Sequence, residues 1–235
     1  MKKIWKYRFY YYLALPGLIY FIIFHYVPMG GALIAFKDIS PFDGLRGFFD
    51  APWVGFKHFE RFTSSVYFLD VIENTLIISG LKILFGFPAP IILALLLNEV
   101  LRMSLKRIMQ TISYLPHFIS WVVTAGMITA LLATSGGLLT ETINDFTGSN
   151  INFLGNKDYF VGILVTSHVW KTIGWSSIIY LAAMSSIDPA LYESARIDGA
   201  NRLQMAWHIT LPSIMFVIVI MLSLIHISEP TRRYF

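Results

Sequence analysis

Five long stretches of the chain carry almost no charged side chains. Residues 11–36 and 108–134 contain no Asp, Glu, Lys or Arg, and residues 159–187 contain only Lys171. About 20 apolar residues suffice to cross a bilayer as a helix, and only 14% of the whole chain is charged. These runs predict an all-α, polytopic membrane helical bundle, with spans at about 11–36, 72–98, 108–134, 159–187 and from 209 to 221 or beyond.

The distribution of Lys and Arg predicts how the spans are oriented. Cations are concentrated in residues 1–10, in the 99–107 turn and in a polar insert at 188–212, whereas residues 135–158 contain one, Lys157. The positive-inside rule counts these cations, and it predicts a cytoplasmic N-terminus (1–10), a cytoplasmic turn and a cytoplasmic insert. The loop 37–70 carries four cations, against this pattern. The first run is too long for the core of a signal peptide and is interpreted as a retained span.

Two local patterns predict irregular structure. The run Phe87-Pro88-Ala89-Pro90 predicts a kink or break in the second span, because proline lacks a backbone donor and clashes with the preceding turn. The loop 37–70 is dense in Gly, Pro and aromatic residues. Such turn signals predict a compact cap on the outer membrane face.

The polar insert 188–212 predicts a short helical hairpin. Asp188 is a suitable N-cap, Pro189 suits the first helical position, and Gly199 suits the C-terminal stop. Asn201 is a suitable cap for a second helix. On that helix one face would contain Leu203, Ala206, Trp207 and Thr210, and Pro212 would mark a bend into the last apolar run.

The insert resembles the EAA loop of ABC-importer permease subunits. The pattern is Glu193-x-Ala195-x-x-x-Gly199, nine further residues, then Ile209-x-Leu211-Pro212, with Ser194 where the family usually has Ala. The resemblance implies that the insert is a cytoplasmic coupling loop that docks on a separate ATPase subunit. The alternative is an ordinary amphipathic connector between two spans. The residues assigned to coupling are Glu193, Ser194, Ala195, Asp198, Gly199, Ala200, Ile209, Leu211 and Pro212.

Three further segments resemble sugar-type ABC permeases. Trp53-Val-Gly-Phe56 followed by Phe59 is similar to a segment after the first span in that group, with His58 where the family usually has Asn. Ala94-Leu-Leu-Leu-Asn98-Glu99 and Tyr114-Leu-Pro116-His-Phe-Ile-Ser-Trp121 are also family-like. The last resembles the subgroup assigned to complex oligosaccharides and plant-polysaccharide fragments.

The resemblance implies a binding-protein-dependent sugar or oligosaccharide importer of the type I ABC-importer permease fold. Residues 11–221 would form the transmembrane permease domain in a bacterial plasma (inner) membrane. The implied partners are the lipid bilayer, cytoplasmic ATPase subunits, a second permease subunit (usually a different chain) and an extracytoplasmic solute-binding protein.

The chain carries no motif of enzyme chemistry. It contains no Gly-x-x-x-x-Gly-Lys-[Ser/Thr] loop for ATP and no Gly-x-Ser-x-Gly nucleophile elbow. Its six histidines are scattered, and cysteine is absent. We therefore expect no catalytic residues, no metal site, no cofactor and no nucleic-acid partner.

Polar residues inside the predicted spans are candidates for a translocation path, because burying them in lipid is costly. Tryptophans in the same region would offer stacking surfaces for sugar rings. The alternative is that the lysines bond to backbone carbonyls or extend toward an interface and that the tryptophans pack the bundle. The candidates are Asn74, Lys82, His117, His168, Trp170, Lys171 and Trp175.

The C-terminal segment 222–235 resembles the translation of a transposon-type sequencing adapter, so the native sequence is expected to end near Met221, before a sixth span. Other interpretations remain at this stage. They are an ABC permease for a non-sugar solute, a non-functional truncated fragment, and a secondary transporter. The last would require acidic residues at mid-membrane, and none is centred in a predicted span: Glu73 lies at the edge of the span 72–98, and the other charges inside the spans are Lys82 and Lys171.

Overall fold

The computed structural model describes residues 7–40, 42, 44–148 and 151–228. Within these residues the regular structure is helical, apart from one isolated antiparallel bridge between Lys37 and Trp53. The predicted all-α class is confirmed. The chain divides into two compact units, Met1–Glu73 and Asn74–Phe235.

The first unit begins with helix α1, Arg8–Phe36. It is α-helical over Arg8–Phe21, passes through a π-helical turn at Ile22–Tyr26 and an α-helical turn at Val27–Gly30, and ends as a 3₁₀ helix at Gly31–Phe36. Its described side chains are apolar around the whole circumference, and none is buried. A helix that is apolar on every side is suited to contact with lipid.

The segment after α1 folds back on the end of that helix, as predicted for the cap. It contains α2 (Gly44–Asp50) and α3 (Lys57–Thr63). Val54 N–H donates to the Phe36 carbonyl at 2.9 Å. Lys57 Nζ donates to Asp38 Oδ2 at 2.7 Å, and this hydrogen bond lowers the pKa of the Asp38 carboxyl.

The aromatic side chains of the Trp53–Phe59 motif form one cluster with the end of α1. Phe36 lies 5.7 Å from Phe56 and 5.3 Å from Phe59, between ring centroids. Gly55 has a positive φ of 57°, which favours glycine. His58 Nε2 lies 3.0 Å from the Lys37 carbonyl oxygen. The Lys37 carbonyl oxygen is an acceptor, so the His58 ring donates this hydrogen bond. An asparagine amide is also a donor, which explains why histidine can replace the asparagine that the family usually has at this position.

Among the described residues, nine further helices follow, of which the first begins in the first unit and the others lie in the second. The helix that leads into this unit is α4, Phe68–Gly86. The remaining helices are α5 (Pro88–Asn98), α6 (Met103–Phe118), α7 (Trp121–Leu132), α8 (Leu138–Thr147), α9 (Lys157–Ser185), α10 (Pro189–Ile197), α11 (Arg202–Met205) and α12 (Leu211–Ser228), with a π-helical turn at Ala206–Thr210 between the last two.

Three helical segments of the described chain are long and apolar enough to cross a membrane: Arg8–Phe36, Phe68–Asn98 and Arg202–Leu224. A fourth is added if the bent pair α6–α7 is one span. Helix α9 is 29 residues long, or about 43 Å, which is ample for a span. It falls outside this set because polar residues lower its mean hydropathy, so the predicted span 159–187 stays a prediction.

The predicted span 108–134 is not one straight helix, and this corrects the sequence analysis. Helices α6 and α7 meet at a 100° bend. Ile119 and Ser120 are extended, and the Ser120 hydroxyl accepts from the Val123 N–H at 3.2 Å, so that it caps α7. Pro116 lies in the last turn of α6. The uninterrupted apolar composition of the run conceals this break.

The structure also corrects the bend predicted at Pro212 and shows only a local irregularity where a kink or break was predicted at Phe87. Helix α12 begins at Leu211, directly after the π-helical turn, and Arg202–Leu224 forms one continuous helical segment. Proline clashes with the carbonyl four residues earlier, here His208, and the wider π-helical turn spans that residue. At Phe87 the α-helical pattern is interrupted for one residue between α4 and α5, but Phe87 keeps helical dihedral angles and Phe68–Asn98 remains one helical segment.

The last helix continues to Ser228, beyond Met221. Residues 229–235 lie outside the described residues. The interpretation of 222–235 as a non-native tail stays a prediction.

The core of the second unit lies where α5, α9 and α12 meet. Its buried members are Ile91 and Ala94 of α5, Tyr180 and Met184 of α9, and Ile214 of α12. Ala94 is fully buried, and a small residue at this position allows the helices to approach closely.

Helix α9 also crosses α6 closely at Gly174. A Cβ atom at this position would overlap the Ser113 carbonyl and come within 2.9 Å of the Tyr114 nitrogen. The crossing therefore requires glycine, because the obstructing atoms belong to the backbone.

We predict that Gly174→Ala destabilises the chain by about 1–3 kcal/mol, the usual cost of overpacking a tight contact. The measurement is the midpoint of thermal unfolding of the detergent-solubilised protein. Gly162→Ala is the matched control, because Gly162 lies on the same helix with no atom within 4 Å of its added Cβ. Equal midpoints for the two variants would contradict the prediction.

Candidate functional site

The insert 188–212 begins with the capped helix that the sequence predicts. The Asp188 carboxylate accepts from the Ala190 N–H at 2.9 Å, and Pro189 is the first residue of α10. Helix α10 ends at Ile197, and Gly199 follows with a φ of 80°. The predicted start and stop of this helix are confirmed, since only glycine adopts that backbone conformation at little cost.

The second helix of the insert begins with a capping box. The Asn201 side chain accepts from the Gln204 N–H at 2.9 Å, and the Gln204 side chain accepts from the Asn201 N–H at 2.8 Å. The predicted cap at Asn201 is confirmed. The reciprocal role of Gln204 was missed, although a glutamine three residues after an N-cap is its signal.

One polar contact closes the insert on itself, and a second holds it against α5. The Tyr192 hydroxyl lies 2.9 Å from the Thr210 hydroxyl, and Thr210 is 3% exposed. Arg202 Nη1 donates to Glu99 Oε2 at 3.1 Å, which joins the insert to the end of α5. The sequence analysis assigned neither contact, because the partners are far apart along the chain.

Most of the predicted coupling residues lie on the accessible side of the insert. Glu193, Ser194, Asp198 and Gly199 are exposed. Five of the predicted residues also border a shallow cleft of about 320 Å³ between α10 and the helix that follows it. That cleft is lined by Ala195, Asp198, Gly199, Ala200, Gln204, Met205, His208 and Ile209.

The predicted apolar face of the second helix is confirmed as one surface. Leu203, Ala206, Trp207 and Thr210 line a single groove of about 620 Å³, together with residues of α5. Leu211 lines this same groove, whereas Pro212 borders neither groove nor cleft and is exposed. The insert thus has a cleft of mixed polar and apolar lining on one side and an apolar groove on another.

Four of the predicted path residues meet at the α6–α7 break. Lys171 of α9 is 5% exposed, and its Nζ donates to the carbonyls of Pro116 and His117, each at 3.1 Å, and to the carbonyl of Ile119. Its Nζ also lies 5.3 Å from the centroid of the Trp121 ring. The alternative in which a span lysine bonds to backbone carbonyls is therefore confirmed for Lys171.

Stacked ring pairs lie on both sides of this lysine. His117 and Trp175 are 4.6 Å apart between centroids and 3° from parallel. Trp121 and His168 are 6.3 Å apart and 8° from parallel. His168, Lys171 and Trp175 follow one another at intervals of three and four residues, so they share one face of α9.

The other path candidates do not join this cluster. Among the described residues, no hydrogen bond, ion pair or ring contact connects Asn74, Lys82 or Trp170 to it. Trp170 is 43% exposed on another side of α9. Trp121 was missed as a candidate, although it closes the Tyr114–Trp121 segment that the sequence analysis singled out.

The chain matches the family model of the binding-protein-dependent transport system inner membrane component over residues 86–227. That range is more than half of the chain and includes the whole insert. The chain belongs to this family.

Two proteins of Bacillus subtilis (strain 168) are similar to the chain along nearly its whole length. The polygalacturonan/rhamnogalacturonan transport system permease protein YteP of Bacillus subtilis (strain 168) is 48% identical over 223 residues, which are 94% of this chain and 68% of the relative. Protein LplB of the same organism is 44% identical over 214 residues, 91% of this chain and 66% of the relative.

Solved structures show the same relationship. A crystal structure of a bacterial ABC transporter involved in the import of the acidic polysaccharide alginate matches with a TM-score of 0.84 and 43% identity, over 95% of this chain and 73% of that chain. A second, of the alginate ABC transporter in complex with an alginate pentasaccharide-bound periplasmic protein, matches with a TM-score of 0.83 and 42% identity, over the same shares. The predicted permease fold is confirmed.

We predict that Asn201→Ala weakens the start of the insert's second helix by about 0.5–2 kcal/mol, because the substitution removes the side-chain acceptor of the cap. The measurement is amide hydrogen exchange of residues 201–206, which we expect to accelerate while exchange in α9 is unchanged. Asn156→Ala is the control, since it removes a similar cap at the distant start of α9. Unchanged exchange at 201–206 would contradict the capping role.

Proposed function

We propose that the chain is the membrane permease subunit of an ATP-driven importer that moves an acidic oligosaccharide into the bacterial cytoplasm. ATP hydrolysis would take place on a separate subunit. The observation that carries this proposal is the capped, exposed insert at 188–212 inside a chain of this transport family. The acidic substrate class is supported by the substrates of similar transport systems, polygalacturonan/rhamnogalacturonan and alginate.

The insert is the proposed docking element for the ATPase subunit. Glu193 would make a polar contact there, and the small side chain of Ala195 would allow close approach. Ile197, at the end of α10, is 86% exposed. Leu191 of the same helix is 48% exposed. Two exposed aliphatic side chains on a helix outside the membrane-spanning segments are available for burial in a partner, which supports docking of α10 over the connector alternative.

The ion pair Arg202–Glu99 supports the proposed orientation. It joins the insert to the end of α5, so the two segments belong on the same side of the membrane. Both carry the cations that the positive-inside rule assigns to the cytoplasm. We propose the same side for the N-terminus.

The proposed assembly contains a second permease subunit, two ATPase subunits and a solute-binding protein. The solved neighbour that includes a sugar-bound periplasmic protein supports the last of these. The cap between α1 and α4 is the proposed outer surface, because it holds Trp53 and Phe56 more than half exposed. Exposed aromatic residues suit either membrane-interface anchoring or a protein contact.

The proposed translocation path passes the α6–α7 break. Lys171 directs its protons to three carbonyls, and an ammonium has three donors. It is therefore not free to pair with a sugar carboxylate. Trp121 and Trp175 remain 51% and 46% exposed although one face of each ring is stacked on a histidine. Rings held in this way are pre-organised surfaces for sugar stacking.

We predict that Glu193→Lys or Gly199→Asp abolishes association with the ATPase subunit and leaves membrane insertion intact. The first reverses a charge on the docking face, and the second places a side chain at a φ of 80°. The measurement is co-purification of the ATPase with the affinity-tagged permease from membranes. Glu60→Lys makes the same charge reversal in the cap and should retain the ATPase. Normal ATPase yield with both insert variants would rule out the docking role.

We predict that uptake by the reconstituted importer depends on ATP and not on a proton gradient. Proteoliposomes that contain all subunits would be loaded with ATP and supplied with binding protein and radiolabelled oligogalacturonate. Uptake should persist with a protonophore and stop without ATP. Uptake that stops with the protonophore would indicate a secondary transporter, and ATP-driven uptake of only a non-sugar solute would refute the carbohydrate assignment.

A further inference from the structure

The broken helix end at Pro116–Ile119 is completed by a side chain from another helix. The last carbonyls of a helix have no partner within that helix, and in the interior of a membrane protein they lack water as a substitute. Lys171 Nζ donates to the carbonyls of Pro116, His117 and Ile119. Its positive charge also lies at the negative end of the α6 dipole. The lysine therefore stabilises the break, where, among the described residues, the backbone itself supplies a further donor only to the Pro116 carbonyl, from the Ile119 N–H at 3.3 Å.

Ring contacts extend this attachment along α9. The His117–Trp175 pair lies on one side of Lys171, and the Trp121–His168 pair lies on the other. Residues 168–175 cover about two helical turns. The end of α6 and the start of α7 are consequently attached to the same face of α9, with the ammonium at the centre of the attachment.

The same helix leads directly into the coupling insert. Helix α9 ends at Ser185, and Asp188 already caps α10. The N–H groups of Ser186 and Ile187 donate to the carbonyls of Ala183 and Met184, both at 3.2 Å, so the connection is a tight turn. About 21 Å of continuous helix separates Lys171 from Ser185.

From this arrangement we infer that Lys171 is a positioning residue that transmits movement of the coupling insert to the α6–α7 break. When the insert moves with its ATPase, α9 moves with it, and the ammonium carries the break and Trp121 along. Without the ammonium, the break is free to shift relative to α9, and ATP hydrolysis continues without moving the path. The inference rests on the proposed function and adds the residue that links the two sites.

The test compares Lys171→Met with the unsubstituted protein in the full importer. We expect ATP-dependent oligogalacturonate uptake to fall by at least about tenfold, a factor within the range of coupling between sites. We expect the yield of ATPase in the complex and its hydrolysis rate with binding protein to stay within about twofold, because the insert is intact. Lys157→Met is the matched control on the same helix, since Lys157 is exposed and makes no ion pair with any described residue.

A distance measurement shows whether the lysine acts through the break. The chain has no cysteine, so spin labels at Val122→Cys on α7 and Ile179→Cys on α9 are free of background. Both positions are exposed, 83% and 46%. We expect one narrow distance distribution with Lys171 and a broad one in Lys171→Met. If the Lys171→Met protein does not accumulate, uptake, hydrolysis and the distance distribution are measured for Lys171→Gln instead. The glutamine amide keeps two donors for the carbonyls at the break.

Three results would overturn the inference. They are unchanged uptake in the lysine variant, lost uptake with an unchanged distance distribution, and hydrolysis that falls in parallel with uptake. Failure of the proposed function is distinguished from all three, because the unsubstituted importer would then show no ATP-dependent uptake.

Discussion

A lipid environment offers no hydrogen bonds to the backbone, and this constraint explains where the irregular parts of the chain occur. Each break in a membrane helix frees carbonyls or donors that the protein itself must satisfy. At the α6–α7 break the Lys171 ammonium satisfies three carbonyls, and the Ser120 hydroxyl caps the next helix. The break is therefore a defined structure with assigned partners.

Two prolines are accommodated by the same backbone device. Pro28 follows the π-helical turn Ile22–Tyr26, and Pro212 follows the π-helical turn Ala206–Thr210. A proline ring clashes with the carbonyl four residues earlier. In both cases that carbonyl belongs to the π-helical turn, which is wider than an α-helical turn. The helical structure continues past Pro28 and Pro212 for this reason, while Pro116 lies where a helix ends.

The features that were predictable from sequence depend on neighbours along the chain. The caps at Asp188 and Asn201 and the stop at Gly199 each require only residues within one helical turn. Contacts that define the candidate path and fix the insert join distant residues. Arg202 lies 103 positions from Glu99, and Lys171 lies 55 positions from Pro116. From hydropathy, Lys171 is an isolated charge and the run 108–134 is one span. Hydropathy does not report which backbone carbonyls a lysine side chain reaches.

The continuity of the insert with the last helix has a mechanical consequence. Arg202–Leu224 is a single helical segment of 23 residues, about 35 Å long, and one end of it belongs to the insert. A stiff rod of that length behaves as a lever, so a push on the end that belongs to the insert becomes a tilt. Tilting it by about 5° around its midpoint displaces each end by about 1.5 Å in opposite directions. With the proposed docking of the insert, small displacements at the ATPase contact would be converted into opposite displacements across the bilayer, with the core at Ile214 close to the fulcrum.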